Sequence, residues 1–118
     1  MHNFKELHVW KKAMDTAQAV HAICQQLPDA ERYGLISQMR RAAISVPSNI
    51  AEGSGRGSNA DFRRFLSIAG GSAYELETQL LLTGRFNYCS QEQLASLLMQ
   101  ISELQKMLYG LRNSLRDN

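Results

Sequence analysis

The sequence predicts an all-α protein, an antiparallel up-and-down four-helix bundle formed by one domain over residues 1–118. Apolar residues recur at spacings of three and four through four separate segments, and no strand-like alternation is long enough to compete. Proline, glycine or serine marks the breaks between those segments. At 118 residues and 44% hydrophobic content, the chain is sized to fill one core.

The first helix covers about residues 5–27, with Leu7, Trp10, Met14, Ala17, Val20, Cys24 and Leu27 on one face. Lys11, Lys12, Asp15 and Gln18 lie largely opposite, and Pro28 disfavours helical geometry at Leu27 and so ends the helix. Asp29 is the expected cap of the second helix, whose apolar face is Leu35, Met39, Ala42, Ala43, Val46 and Ile50 and whose end falls near Glu52. Pro47 removes a backbone hydrogen bond within it, so a kink is expected there. Residues 53–58, Gly-Ser-Gly-Arg-Gly-Ser, read as a flexible link.

The third helix covers about residues 59–83 and carries Phe62, Phe65, Ala69, Ala73, Leu76 and Leu80 in one stripe. Leu66, Ile68, Leu81 and Leu82 lie beyond the centre of that stripe, which predicts burial on more than one side. Gly70 and Gly71 inside this helix should cost about 1 kcal/mol each relative to alanine. Close approach of a neighbouring helix is the expected compensation, with a ligand pocket as the weaker alternative. Ser90 followed by Gln93 predicts a capping box, so the fourth helix starts near Gln91. Leu94, Leu97, Ile101, Leu104, Leu108, Leu111 and Leu115 then form a long heptad seam.

The longest aliphatic run, Leu80-Leu81-Leu82, is far short of the roughly 20 residues needed to cross a bilayer, so no membrane span is predicted. The first dozen residues lack the apolar segment of a secretion signal, and a cytoplasmic location is expected. Cys24 and Cys89 would remain free thiols there, serving as small packing residues. Glu75 and Glu77 lie two apart and face different sides of a helix, and His2, His8 and His21 are scattered. Neither Glu-x-x-His nor His-Glu-x-x-His occurs, so no enzyme activity, metal site or cofactor is predicted. The glycine-rich link lacks the preceding strand and the Lys-Ser or Lys-Thr pair of a phosphate loop. Trp10 and Tyr109 are expected as core or interface anchors rather than base-stacking platforms.

The net charge of +2 is mildly basic, but its distribution is uneven. Arg32, Arg40, Arg41, Arg56, Arg63 and Arg64 crowd a segment whose only acids are Glu52 and Asp61. Within it, the tract from Arg40 to Gly53 is the most distinctive in the chain, and its Arg41, Ser45, Ser48 and Glu52 form a polar stripe opposite the apolar face. Such a stripe is either solvated or, together with Asn49, a polar seam that sets helix register in an oligomer.

This tract, followed by Phe62, Phe65-Leu66, Ile68-Ala69-Gly70-Gly71-Ser72 and Glu75-Leu76-Glu77-Thr78-Gln79-Leu80, resembles the four-helix bundle protein family encoded in intervening sequences of 23S ribosomal RNA genes. The resemblance covers about residues 4–111. It implies a homopentameric ring of bundles around a central channel. It also implies similarity to the accessory variability proteins of diversity-generating retroelements, which bind nucleic acid and a reverse transcriptase. No catalytic residue comes with it. The function expected is a non-enzymatic oligomeric scaffold that engages RNA or DNA through Arg40, Arg41, Arg56, Arg63 and Arg64, with a reverse transcriptase or another protein as a further partner. The alternative is a protein-binding adaptor scaffold without nucleic-acid affinity.

Overall fold

Each of the four periodic segments winds into a helix in a computed structural model that describes residues 3–116. These are α1 His8–Cys24, α2 Leu35–Ser54, α3 Asn59–Arg85 and α4 Gln91–Ser114, with short 3-10 turns at Phe4–Glu6 and Asp29–Glu31 and no strand among the described residues. Contacts join α1 to α2, α2 to α3, α3 to α4 and α4 back to α1, with none across a diagonal among the described residues. Short connections make sequential neighbours antiparallel, so the helices stand as a closed square within 48 × 25 × 20 Å.

Local chemistry sets the ends. Asn3 Oδ1 accepts from Lys5 N at 3.2 Å and closes the first 3-10 turn, which leaves Leu7 extended and delays α1 to His8 rather than Lys5. The expected cap at Asp29 gives way for a similar reason. Residues Asp29–Glu31 form their own turn, Gly34 breaks the chain direction at φ −108° and ψ −108°, and Glu31 Oε1 accepts from Leu35 N at 3.3 Å to start α2. Helix α2 continues through Pro47, which is buried, so the proline interrupts neither the helix nor its packed face.

The flexible link is shorter than the glycines and serines suggest. Gly53 and Ser54 belong to α2 and are buried. A Cβ at Gly53 would lie 2.7 Å from Phe65 Cβ and 2.9 Å from Phe62 Cδ1, so the absence of a side chain is what lets α3 come this close. At the far end of α3, Asn87 takes φ 60° while its N–H bonds Gly84 O at 3.0 Å and that of Tyr88 bonds Thr83 O at 3.1 Å. This pair of bonds caps the helix with its one left-handed residue an asparagine. Ser90 and Gln93 then make both reciprocal bonds of the capping box at 3.1 Å.

The core has two lobes. Val20, Ile23, Met39, Leu76, Leu80 and Ile101 pack toward the α1–α2 and α3–α4 turns, while Val9, Val46, Ile50, Phe62, Leu66 and Leu104 pack toward the α2–α3 turn. Thr16 sits between them on α1 with its hydroxyl donated to Lys12 O at 2.8 Å, which satisfies a polar group that burial would otherwise penalise. Of the four residues beyond the centre of the α3 stripe, Leu66 is buried, while Ile68, Leu81 and Leu82 are exposed in the single chain.

Candidate functional site

Within one chain the polar stripe of α2 divides among three settings. Asn49 Nδ2 donates to Ser45 O at 2.8 Å and to Ser45 Oγ at 2.9 Å, and Ser45 Oγ lies 2.8 Å from Ser72 Oγ on α3. This chain of bonds ties α2 to α3 in a fixed register. Glu52 Oε2 instead accepts from Arg56 at 2.9 Å on the surface. Arg41 and Ser48 are exposed, and neither side chain has a partner among the described residues. Arg41 and Asn49 are separated by roughly 12 Å of helix rise, too far for direct contact in one chain.

The five candidate arginines form two groups. Arg56, Arg63 and Arg64 gather around the α2–α3 turn, where the Arg56 and Arg64 guanidinium carbons stand 4.9 and 4.6 Å from the centre of the Phe65 ring. Arg64 also lies 3.8 Å from Asp61, and Arg63 donates to Leu115 O at 3.3 Å. A second long-range bond, Asn59 Nδ2 to Arg116 O at 2.6 Å, draws Arg116 to the same end of the bundle. Arg40 and Arg41 lie roughly 18 Å further along α2 from Gly53. There they line a groove with Arg32, Tyr33 and Ile44. Burial pushes the Cys24 thiol up from its ordinary range, while the charge and hydrogen bond of Arg40 partly offset that shift.

Apolar side chains are exposed on two opposite sides of the square. On the α1/α2 side, Ile44 is 59% and Met14 is 45% exposed, beside Trp10, Pro47 and Ala51. On the α3/α4 side, Tyr74 and Tyr109 flank a groove lined by Gly70 and Gly71. A Cβ at either glycine would meet nothing within 4 Å, so the helix approach expected there does not occur within the chain. Tyr109 is exposed rather than a core anchor, whereas Trp10 is half-buried with the Phe4 ring edge-on at 5.3 Å.

Glu77 Oε1 accepts from Gln105 at 3.0 Å, and Glu75 is exposed without a partner among the described residues. His8 and His21 are exposed, and His2 lies outside the described residues. No three His, Cys, Asp or Glu side chains among the described residues are placed to hold a metal ion. No helix among them is long and apolar enough to cross a membrane.

A family model described as 23S rRNA-intervening sequence protein matches residues 5–110. The chain is also similar to a solved structure of a protein of unknown function from the S23 ribosomal protein family of Bacteroides thetaiotaomicron. That similarity has a TM-score of 0.82 at 28% identity and covers 88% of this chain and 97% of the other. No curated protein matches.

Proposed function

Because this chain belongs to the 23S rRNA-intervening sequence protein family, we propose that it is a non-enzymatic subunit of a homopentameric scaffold in the cytoplasm that holds RNA or DNA on its basic surfaces. The observation that carries self-association is the exposed strip of α2, where the unpartnered Arg41 and Ser48 stand beside Ile44 and Met14. Apolar area gives such a contact its driving force, and unpaired donors give it register. The stoichiometry of five comes from the family resemblance. Nucleic-acid affinity is supported by the basic end, where Arg56, Arg63, Arg64 and Arg116 outnumber Glu52 and Asp61. Repetition around a ring multiplies a weak patch, because several copies engage one strand together.

The adaptor reading without nucleic acid draws support from the ion pairs of Arg56 with Glu52 and Arg64 with Asp61, which reduce the outward field. Fluorescence anisotropy with labelled single-stranded and duplex probes separates the two readings, since phosphate binding weakens steeply with salt. Binding at low salt that is lost when Arg40, Arg56, Arg63 and Arg64 become Gln supports the scaffold as proposed. No binding at low salt, or binding untouched by those substitutions, leaves the adaptor. Light scattering that reports a monomer at micromolar concentration would remove the oligomer.

A further inference from the structure

The two mid-helix glycines of α3 have no packing role inside the chain, although each weakens the helix relative to alanine. Together they open a groove of about 260 Å³ between α3 and α4. Its floor is apolar, from the buried Leu66 and Leu108, and its rims carry Tyr74 and Tyr109, which are 62% and 66% exposed. Arg112 lines the same groove close to Tyr109. Neither phenol nor the Arg112 guanidinium has a partner among the described residues. Of the acids on α3 beside the groove, Glu77 is bonded by Gln105, while Glu75, next to Tyr74, is exposed without a partner among the described residues.

We propose that this groove is a stacking site for an unpaired base of single-stranded nucleic acid. It rests on the nucleic-acid reading above and adds to the arginine surfaces a recognition element that distinguishes a single strand from a duplex. An exposed aromatic ring beside a cation is the arrangement by which proteins hold single strands with little regard to sequence, because every base offers a π face. The glycines leave a flat ring room against the helix where a larger side chain would stand. Arg112 supplies a planar fork suited to a phosphate oxygen pair, and Arg63 and Arg116 continue the basic track toward the α2–α3 turn. Arg112, Arg63 and Arg116 along this track, against the one unpartnered acid Glu75 beside the groove, favour a polyanionic occupant. A duplex cannot use the site, since its bases are stacked and paired inside the helix.

The test compares the full-length chain with Tyr74→Ala/Tyr109→Ala, with Tyr74→Phe/Tyr109→Phe and with Gly71→Leu. Labelled oligothymidylate and oligoadenylate serve as single-stranded probes, alongside a duplex of equal length. The alanine variant and Gly71→Leu should each lose about tenfold or more in single-strand affinity, consistent with one stacked base. Duplex affinity and oligomer mass should not move, and the phenylalanine variant should bind as the native chain does. Arg112→Gln should lower the slope of log affinity against log salt by about one, a change the tyrosine variants should not produce. Unchanged single-strand affinity in the alanine variant overturns the proposal while leaving the arginine-surface reading standing. Loss of oligomer mass in the same variant overturns it as well, by making the groove a contact between copies. A native chain that binds neither probe at low salt removes both readings together.

Discussion

The α2–α3 and α3–α4 seams share a helix yet are built differently. On the α2 side, Gly53 lets Phe62 and Phe65 press against backbone, and the Ser45–Ser72 pair at 2.8 Å closes the seam. On the α4 side, Gly70 and Gly71 face open space between two exposed tyrosines. The same residue type brings two helices together in one place and leaves a notch in the other. A glycine in a helix is therefore defined by what occupies the volume its side chain lacks, and that volume is set by elements remote in sequence.

Removing the tight side should have the largest effect. Phe62→Ala empties a fully buried site and should cost about 3–5 kcal/mol in urea unfolding. A cost below about 1 kcal/mol would mean that α2 and α3 are not the rigid half of the molecule. Gly53→Ala forces a methyl against Phe65 Cβ, which cannot swing away, and should destabilise by about 1–3 kcal/mol. Gly71→Ala should instead stabilise by up to about 1 kcal/mol, through helix propensity alone. Shifts of the two melting temperatures in the same direction would break the comparison. Ser72→Ala leaves the Ser45 hydroxyl without its α3 partner and should cost about 1 kcal/mol.

The smallest effect belongs to neither seam and provides a surface baseline. The Lys12 ammonium, 2.8 Å from Glu103 across α1 and α4, holds that carboxyl below its ordinary value by hydrogen bond and charge. A lowered folded-state pKa contributes stability above the unfolded value of 4.5 and loses it as pH falls through the folded one. Glu103→Gln should therefore slightly flatten the acid limb of a stability–pH curve and little else, because the pair is exposed. A change in that curve above pH 6 would assign the slope to another group.

The helices were legible because their signals are local: apolar spacing places the stripes, and Ser90 with Gln93 marks the start of α4 from four residues alone. Other features depended on distant neighbours. Residues 53–58 look like a linker by composition, and nothing in them reveals that Phe62 and Phe65 will fill the space beside Gly53. Asp29 is a good cap in isolation, but the backbone of Gly34 hands that role to Glu31. Sequence proximity put Arg40, Arg41, Arg56, Arg63 and Arg64 in one group, but the length of α2 separates the first two from the other three, and Arg116 joins those three only through the bond of Asn59 to its carbonyl. For Tyr109 a usable signal existed: it falls one position outside the Leu104, Leu108, Leu111 seam, which predicts an outward ring.

The short connection between α2 and α3 has a kinetic consequence. With only residues 55–58 outside the helices, this hairpin closes with little loss of chain entropy, and its antiparallel contacts are near in sequence at the turn. Joining α1 to α4 requires the two ends of the chain to meet. The α2–α3 hairpin should thus be formed in the rate-limiting transition state, with the α1–α4 side docking afterwards. Stopped-flow measurements should find that Phe62→Ala mainly slows folding, while Val9→Ala in α1 mainly speeds unfolding. The reverse pattern would place the early contacts across the chain ends.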